Sequence, residues 1–287
     1  MACKRIGRQQ LISMMPTKIE VVAIIVPIYK NHLSNYEEIS LRRCFEVFTD
    51  PIIAIAPKTL DINSITSKYS FSAVERFEDG YFNSISGYNN LMTASTFYER
   101  FLNYKYILIY QLDAFVFKND LEFWCSQNYD YIGAPWLWDL GKKNKLQQLK
   151  HKLVTSYHIY FNTRDKITGL PVDKQFRDKV GNGGFSLRNV SKFLQIINEN
   201  SKMLKFYNSN CYKHHYFNED AFWSIEVNRR TKKLNIPSYR VALNFSFENG
   251  LRKAYHLTNG NLPFGCHDWD NHLDFWRPHF KSLGYNI

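Results

Sequence analysis

Through the first half of the chain the apolar positions come in short continuous blocks. Val21–Ile28 is an unbroken, largely β-branched run, the pattern of a strand covered on both faces. Ile52–Ala56 repeats it and is stopped by Pro57, and Ser72–Phe77 is a weaker third block. Tyr106–Tyr110 is a fourth, ending at Gln111-Leu112-Asp113. Between the third and fourth, Ser84–Leu102 carries apolar residues at 88, 91, 92, 98, 101 and 102, which is helical spacing. Strands alternating with helices predict an α/β fold, a Rossmann-like, mostly parallel sheet flanked by helices. Such sheets bind ligands beyond the carboxyl ends of their strands. That rule puts Pro27, Ile28, Tyr29 and Lys30 beside Gln111 and Asp113, with Tyr88 and Asn89 nearby, as the expected ligand pocket, which is the donor pocket if the ligand is a group donor.

The second half is different. Asn189–Asn200 reads as a helix with an Asn cap, and the remainder is loop-rich, with glycine turns at 181–184 and 263–267. No domain boundary appears. The expectation is a basic tail over 1–18 and a single domain over 19–287, with a basic insertion near 141–170.

Composition narrows the class. The 287 residues are 45% hydrophobic and 22% charged, which excludes disorder as the main state. The longest apolar run has eight residues, against about 20 for a membrane span. Five cysteines, widely spaced and without CxxC, favour a reducing, cytoplasmic setting. Lys plus Arg is 37 and Asp plus Glu 26, a net charge of +11 that calls for an anionic partner. Gly141–Arg164 contains no acid, while Lys142, Lys143, Lys145, Lys150 and Lys152 fall within it; Arg229, Arg230, Lys232 and Lys233 form a second cluster. Each is either a solvated face or a contact with phosphate or an anionic membrane. No nucleic-acid motif accompanies them, which leaves basic charge as the sole support for nucleic-acid binding.

The chemistry-bearing residues are few. Asp113 follows a buried strand, where a carboxylate needs a cation or donors; it serves either as a turn residue or to hold a divalent ion. Glu219 and Asp220 open a helix, where Asn218 caps and an acid can act as general base, kept ionised by the helix N-terminus. Gly183 and Gly184 let a backbone approach a ligand, or form a structural hairpin. His267 follows a glycine turn and is either packed or a metal ligand. Trp136, Trp138 and Trp223 either stack on a ligand or fill the core.

Taken in order, Val26-Pro27, Gly87–Met92, Tyr110–Phe117, Asp130–Trp136, Gly181–Arg188, Asn218–Asp220 and Pro263–Trp269 resemble the DUF5672 family, a bacterial family similar to GT-A glycosyltransferases. The resemblance covers roughly residues 20 to 275. It implies a GT-A-like fold and an inverting, metal-assisted transfer from a UDP- or GDP-sugar to a glycan or lipid-linked hydroxyl, in surface polysaccharide synthesis. It implies Mn²⁺ or Mg²⁺ on Asp113 and His267, Asp220 as base, Glu219 either binding acceptor hydroxyls or orienting the loop, and Gly183, Gly184, Trp136 and Trp223 on the acceptor. The expected location is cytoplasmic, either free or peripheral on the inner face of the cytoplasmic membrane, where an anionic surface would meet the basic stretch. Gln111 departs from the family pattern: it stands where a DxD motif has its first Asp, so the metal site loses one anionic ligand. The contrasting expectation is a non-catalytic carbohydrate-binding protein on the same fold.

Overall fold

The computed structural model describes residues 20–138 and 144–287. The expected tail over 1–18 and the start of the basic insertion, 141–143, lie outside the described residues. The rest is a mixed α/β single domain around a six-stranded, mostly parallel sheet.

The apolar blocks are the strands: β1 (Glu20–Pro27), β2 (Ile52–Pro57), β3 (Ala73–Phe77) and β4 (Tyr104–Tyr110). They run parallel in the order β3-β2-β1-β4, with Ile24 opposite both Ile52 and Leu108. Two more strands, β5 (Phe115–Val116) and β6 (Tyr131–Ile132), follow; β7 (Pro135–Trp136) pairs with β8 (Lys179–Val180). Then β9 (Phe185–Asn189) returns antiparallel along β4, and β6 closes the sheet on its far side. The chain steps outward from β1 to β3 and then crosses back to place β4 on the other side of β1. This reversal opens a crevice between the carboxyl ends of β1 and β4.

Both sheet faces are buried, which explains the unbroken apolar runs. Val22, Ile24 and Val26 pack toward helix α1 (Asn35–Val47) through Leu41 and Cys44. Ala23 and Ile25 face the other way, toward Leu91, Met92, Phe97, Phe193 and Trp223. Each large side chain so buried contributes about 1.5–3 kcal/mol. Ser34 caps α1 in a reciprocal box, accepting from Glu37 N at 3.3 Å while Ser34 N donates to Glu37 Oε2 at 2.7 Å.

One expected element divides. The helix read over Ser84–Leu102 is two, α2 (Ile85–Met92) and α3 (Ser95–Glu99). Thr93 ends the first by folding its hydroxyl back to Asn89 O at 2.8 Å, and Tyr98 donates to the freed Met92 O at 3.0 Å. The basic insertion carries α4 (Lys145–Tyr160), and α5 (Val190–Glu199) has the expected cap, Lys192 N donating to Asn189 Oδ1. A third apolar cluster, including Phe115, Trp269, Trp276 and Phe280, binds the C-terminal helix to the domain. Among the described residues no helix is long and apolar enough to cross a membrane.

Candidate active site

The crevice between β1 and β4 is a cleft of about 700 Å³, within the size range of small-molecule sites. Four of the chain segments that line it are delivered by strand ends. Pro27, Tyr29 and Lys30 leave β1; Gln111 and Asp113 leave β4. Gly183 and Gly184 precede β9, and Gln111 N donates to Gly184 O at 2.9 Å. The fourth segment leaves β11 (Gly265–Cys266), which pairs parallel with β10 (Ser246–Phe247) and antiparallel with β5 and sets His267 against Asp113.

The glycines are needed because the floor is crowded. A Cβ on Gly184 would stand 2.0 Å from His267 Nε2 and 2.6 Å from Gln111 Oε1. One on Gly183 would stand 2.2 Å from Glu219 Oε1. Asn182 fixes the turn: its Oδ1 accepts from Gly184 N at 3.0 Å and Phe185 N at 3.2 Å, and its Nδ2 donates to Glu248 Oε1 at 2.5 Å.

His267 is held from both sides. Its Nε2 lies 3.1 Å from Asp113 Oδ1 and 3.0 Å from Gln111 Oε1, and its Nδ1 lies 3.3 Å from Glu248 Oε1. Burial lowers the affinity of the ring for a proton, but Asp113 and Glu248 outweigh it and raise the His267 pKa well above its usual value. Burial likewise acts to raise Asp113, and the His267 charge overcomes it, leaving the carboxyl below its ordinary range. Both ring nitrogens thus face carboxylate oxygens, and Nε2 sits at hydrogen-bonding distance from Asp113.

Asp113 also belongs to a set of oxygen donors suited to a cation. Carboxylate oxygens of Asp113, Asp268 and Asp270 come within 4.8 Å of one another. Asp270 Oδ1 is buried without a hydrogen-bond partner. Burial, then the nearby charges of Asp113 and Asp268, push the Asp270 carboxyl upward. Crowded hard oxygens with an orphaned, buried atom among them fit a divalent cation such as Mg²⁺ or Mn²⁺. Asp268 and Asp270 escaped the sequence reading, although Asp268-Trp269-Asp270 is itself a D-x-D pattern. Their position is set by the buried Trp269 between them, whose Nε1 donates to Ser40 Oγ at 2.9 Å.

Asp220 and Glu219 both line the cleft, in different states. Glu219 is buried and spends both oxygens on Arg188, which is fully buried. Its backbone N donates to Asn89 Oδ1 at 2.9 Å, and Asn89 Nδ2 donates to Asn218 Oδ1 at 3.2 Å. Asn89, expected to touch a donor, therefore clamps the Asn218–Glu219 turn, and Asn218 makes no side-chain cap. Asp220 was expected to be kept ionised by the helix start. Instead burial, followed by the neighbouring carboxylates of Glu219 and Glu248, raises its pKa well above the ordinary value. The helix it opens runs only from Glu219 to Ala221 before widening into a π-turn, too short to offset that burial.

Three expected contacts are not brought to the cleft. Ile28 is fully buried in the core under α1. Trp223 is fully buried, its ring 4.1 Å from Phe193. Trp136 packs over Gly181, where a Cβ would strike the indole, and lies 5.7 Å from Phe176. Tyr29 and Tyr88 do line the cleft; Tyr29, half-exposed, donates to Glu37 Oε1 at 3.2 Å, and Lys30 pairs with Glu37 Oε2 at 2.7 Å.

Among curated proteins none matches the chain. Among solved structures, the apo form of mouse xyloside xylosyltransferase 1 is similar over 86% of this chain and 97% of its own, at 10% identity and a TM-score of 0.45. The family model described as "Protein of unknown function (DUF5672)" matches residues 71–267. With well over half its length covered by that model, the chain belongs to the DUF5672 family.

Proposed function

We propose that the chain is a nucleotide-sugar-dependent glycosyltransferase of GT-A type. It would move a sugar from a UDP- or GDP-linked donor to a hydroxyl of a glycan or lipid-linked acceptor. The observation that carries this reading is one cleft at the sheet's switch point that joins the Asp113/Asp268/Asp270 cluster to a second, half-buried carboxyl, Asp220, across a glycine floor.

A sugar nucleotide needs its diphosphate neutralised as it leaves and its acceptor deprotonated as it attacks. A divalent cation held by Asp113, Asp268 and Asp270 would supply the first. Asp268 and Asp270 make up the charge that Gln111 does not provide. His267, paired to Asp113 and Glu248, orients the Asp113 carboxylate. Lys30 is a second cation on the cleft wall.

Asp220 is the candidate base. A carboxyl whose pKa is raised by burial is a stronger proton acceptor once ionised than an exposed one. Its Oδ1 accepts from Ala221 N at 2.7 Å, which fixes its direction, and in-line attack from its side of the sugar inverts the anomeric centre. Glu219 is a positioning residue, because Arg188 occupies both of its oxygens. Gly183 and Gly184 make room for Glu219 and His267 at the floor of the cleft.

Calorimetric titration with UDP and GDP, with and without Mn²⁺, tests the reading. Expected is nucleoside diphosphate binding that strengthens with Mn²⁺ and loses that gain in Asp113→Asn. Absence of binding by either nucleotide under both conditions would reject it.

A further inference from the structure

Helix α4 is turned inside out. Leu146, Leu149, Leu153, Tyr157 and Tyr160 recur at steps of three and four, forming one stripe. That stripe faces away from the domain: the five are 75%, 54%, 64%, 56% and 48% exposed. The side turned inward is the more polar one. Thr155 is buried, and His151, His158 and Ile159 are partly so. The helix is moored from that side, Arg229 Nη1 donating to Ile159 O at 2.5 Å and Gln175 Nε2 to Thr163 O at 2.8 Å. A soluble helix buries its leucines, and a row of them left in water needs a partner.

Charge says which partner. Lys150 and Lys152 are exposed on this helix, and no acid occurs from Gly141 to Arg164. Arg230 lies over the Tyr160 ring at 4.7 Å, adding a cation at the stripe's end. A second copy of the chain would bring the same basic helix against this one, like charge on like charge. A surface both apolar and anionic answers both features, and an acidic lipid bilayer is such a surface. At 16 residues the helix is about 24 Å long, enough to lie along a membrane and too short to cross it.

We propose that α4 lies in the interface of an anionic bilayer. Leu146, Leu149, Leu153 and Tyr157 enter the acyl boundary, and Lys150 and Lys152 reach the headgroups. The inference stands independently of the transfer reaction, since none of these residues lines the cleft.

Sedimentation with vesicles of phosphatidylcholine alone and of phosphatidylcholine with phosphatidylglycerol tests it. The unmodified chain should bind the anionic vesicles and be released by salt, with little binding to the neutral ones. Lys150→Gln/Lys152→Gln should weaken anionic-vesicle binding about tenfold or more. Leu149→Gln/Leu153→Gln should weaken it comparably while keeping the parent's melting temperature, since both sites are already exposed. No vesicle binding by the unmodified chain overturns the proposal, as does equal binding by parent and both variants. A dimer in sedimentation equilibrium, abolished by Leu149→Gln/Leu153→Gln in a chain that ignores vesicles, would overturn it and give the stripe to a second copy.

Discussion

Arg188 and Glu219 form a two-pronged ion pair inside the protein: Nη2 donates to Oε1 at 2.9 Å and Nη1 to Oε2 at 3.3 Å, with both side chains sealed from solvent. Arg188 comes from β9, the strand that carries the glycine floor, and Glu219 from the turn that presents Asp220. The pair therefore ties the two halves of the cleft together.

Removing one partner leaves a buried charge alone. Glu219→Leu should cost about 3–5 kcal/mol of stability, and Arg188→Met a similar amount. The double variant should be more stable than either single one. Denaturant melts of the three chains check this. A double variant as unstable as the sum of the singles would mean that the two groups do not act as a pair.

The acidic cluster should behave in opposite ways with and without a cation. In EDTA, Asp270→Asn relieves repulsion with Asp113 and Asp268 and should melt at or above the parent's temperature. With excess Mn²⁺ the order should reverse, because the parent gains binding energy that the variant has weakened. Thermal scans under both conditions read this directly. An identical Mn²⁺ response in parent and variant would remove Asp270 from the site.

Much of this architecture is legible in the chain. The unbroken runs at Val21–Ile28 and Tyr106–Tyr110 give two central strands because a strand covered on both faces has no polar side to display. Asp113 stands out as an acid directly after such a run. Asp268 and Asp270 do not, since they reach Asp113 through a distant antiparallel pairing, β5 with β11, that periodicity cannot show. Asp268 also sits in the left-handed region, φ 55°, a backbone bend without a local sequence signature. Trp223 was misplaced for a different reason: an indole suits a sugar face and a core equally, and only the packing on Phe193 decides. Thr93 breaks the helix after Met92 through a side-chain bond that helical spacing does not register.

Gly184→Ala tests the floor. Its methyl group would displace His267, whose ring is fixed on both nitrogens and has little room to yield. The substitution should cost turnover about tenfold or more while nucleotide affinity measured without metal changes little. Equal losses in both would show a general collapse of the cleft instead.

Asp220 gives a pH signature of known sign. Its folded pKa is raised, so the folded chain holds a proton that the unfolded chain has lost. Stability should then fall as pH rises from about 4, the ordinary Asp value, through the raised value, and level off above it. Within that window the slope approaches about 1.4 kcal/mol per pH unit for this one group. Asp220→Asn lacks the loss, so it should gain on the parent as pH rises across the window. Parallel stability curves for the two chains would mean that Asp220 titrates normally.

The proposed sugar transfer in this cleft depends on Asp220 as the base. The most direct measurement follows release of free nucleoside diphosphate from a panel of nucleotide sugars with Mn²⁺, in the parent and in Asp220→Asn, with donor affinity measured on the same samples. The account predicts turnover of at least one donor by the parent, a fall of about 10²–10⁴-fold in Asp220→Asn, and nearly unchanged donor binding. Turnover by Asp220→Asn at the parent's rate would contradict it.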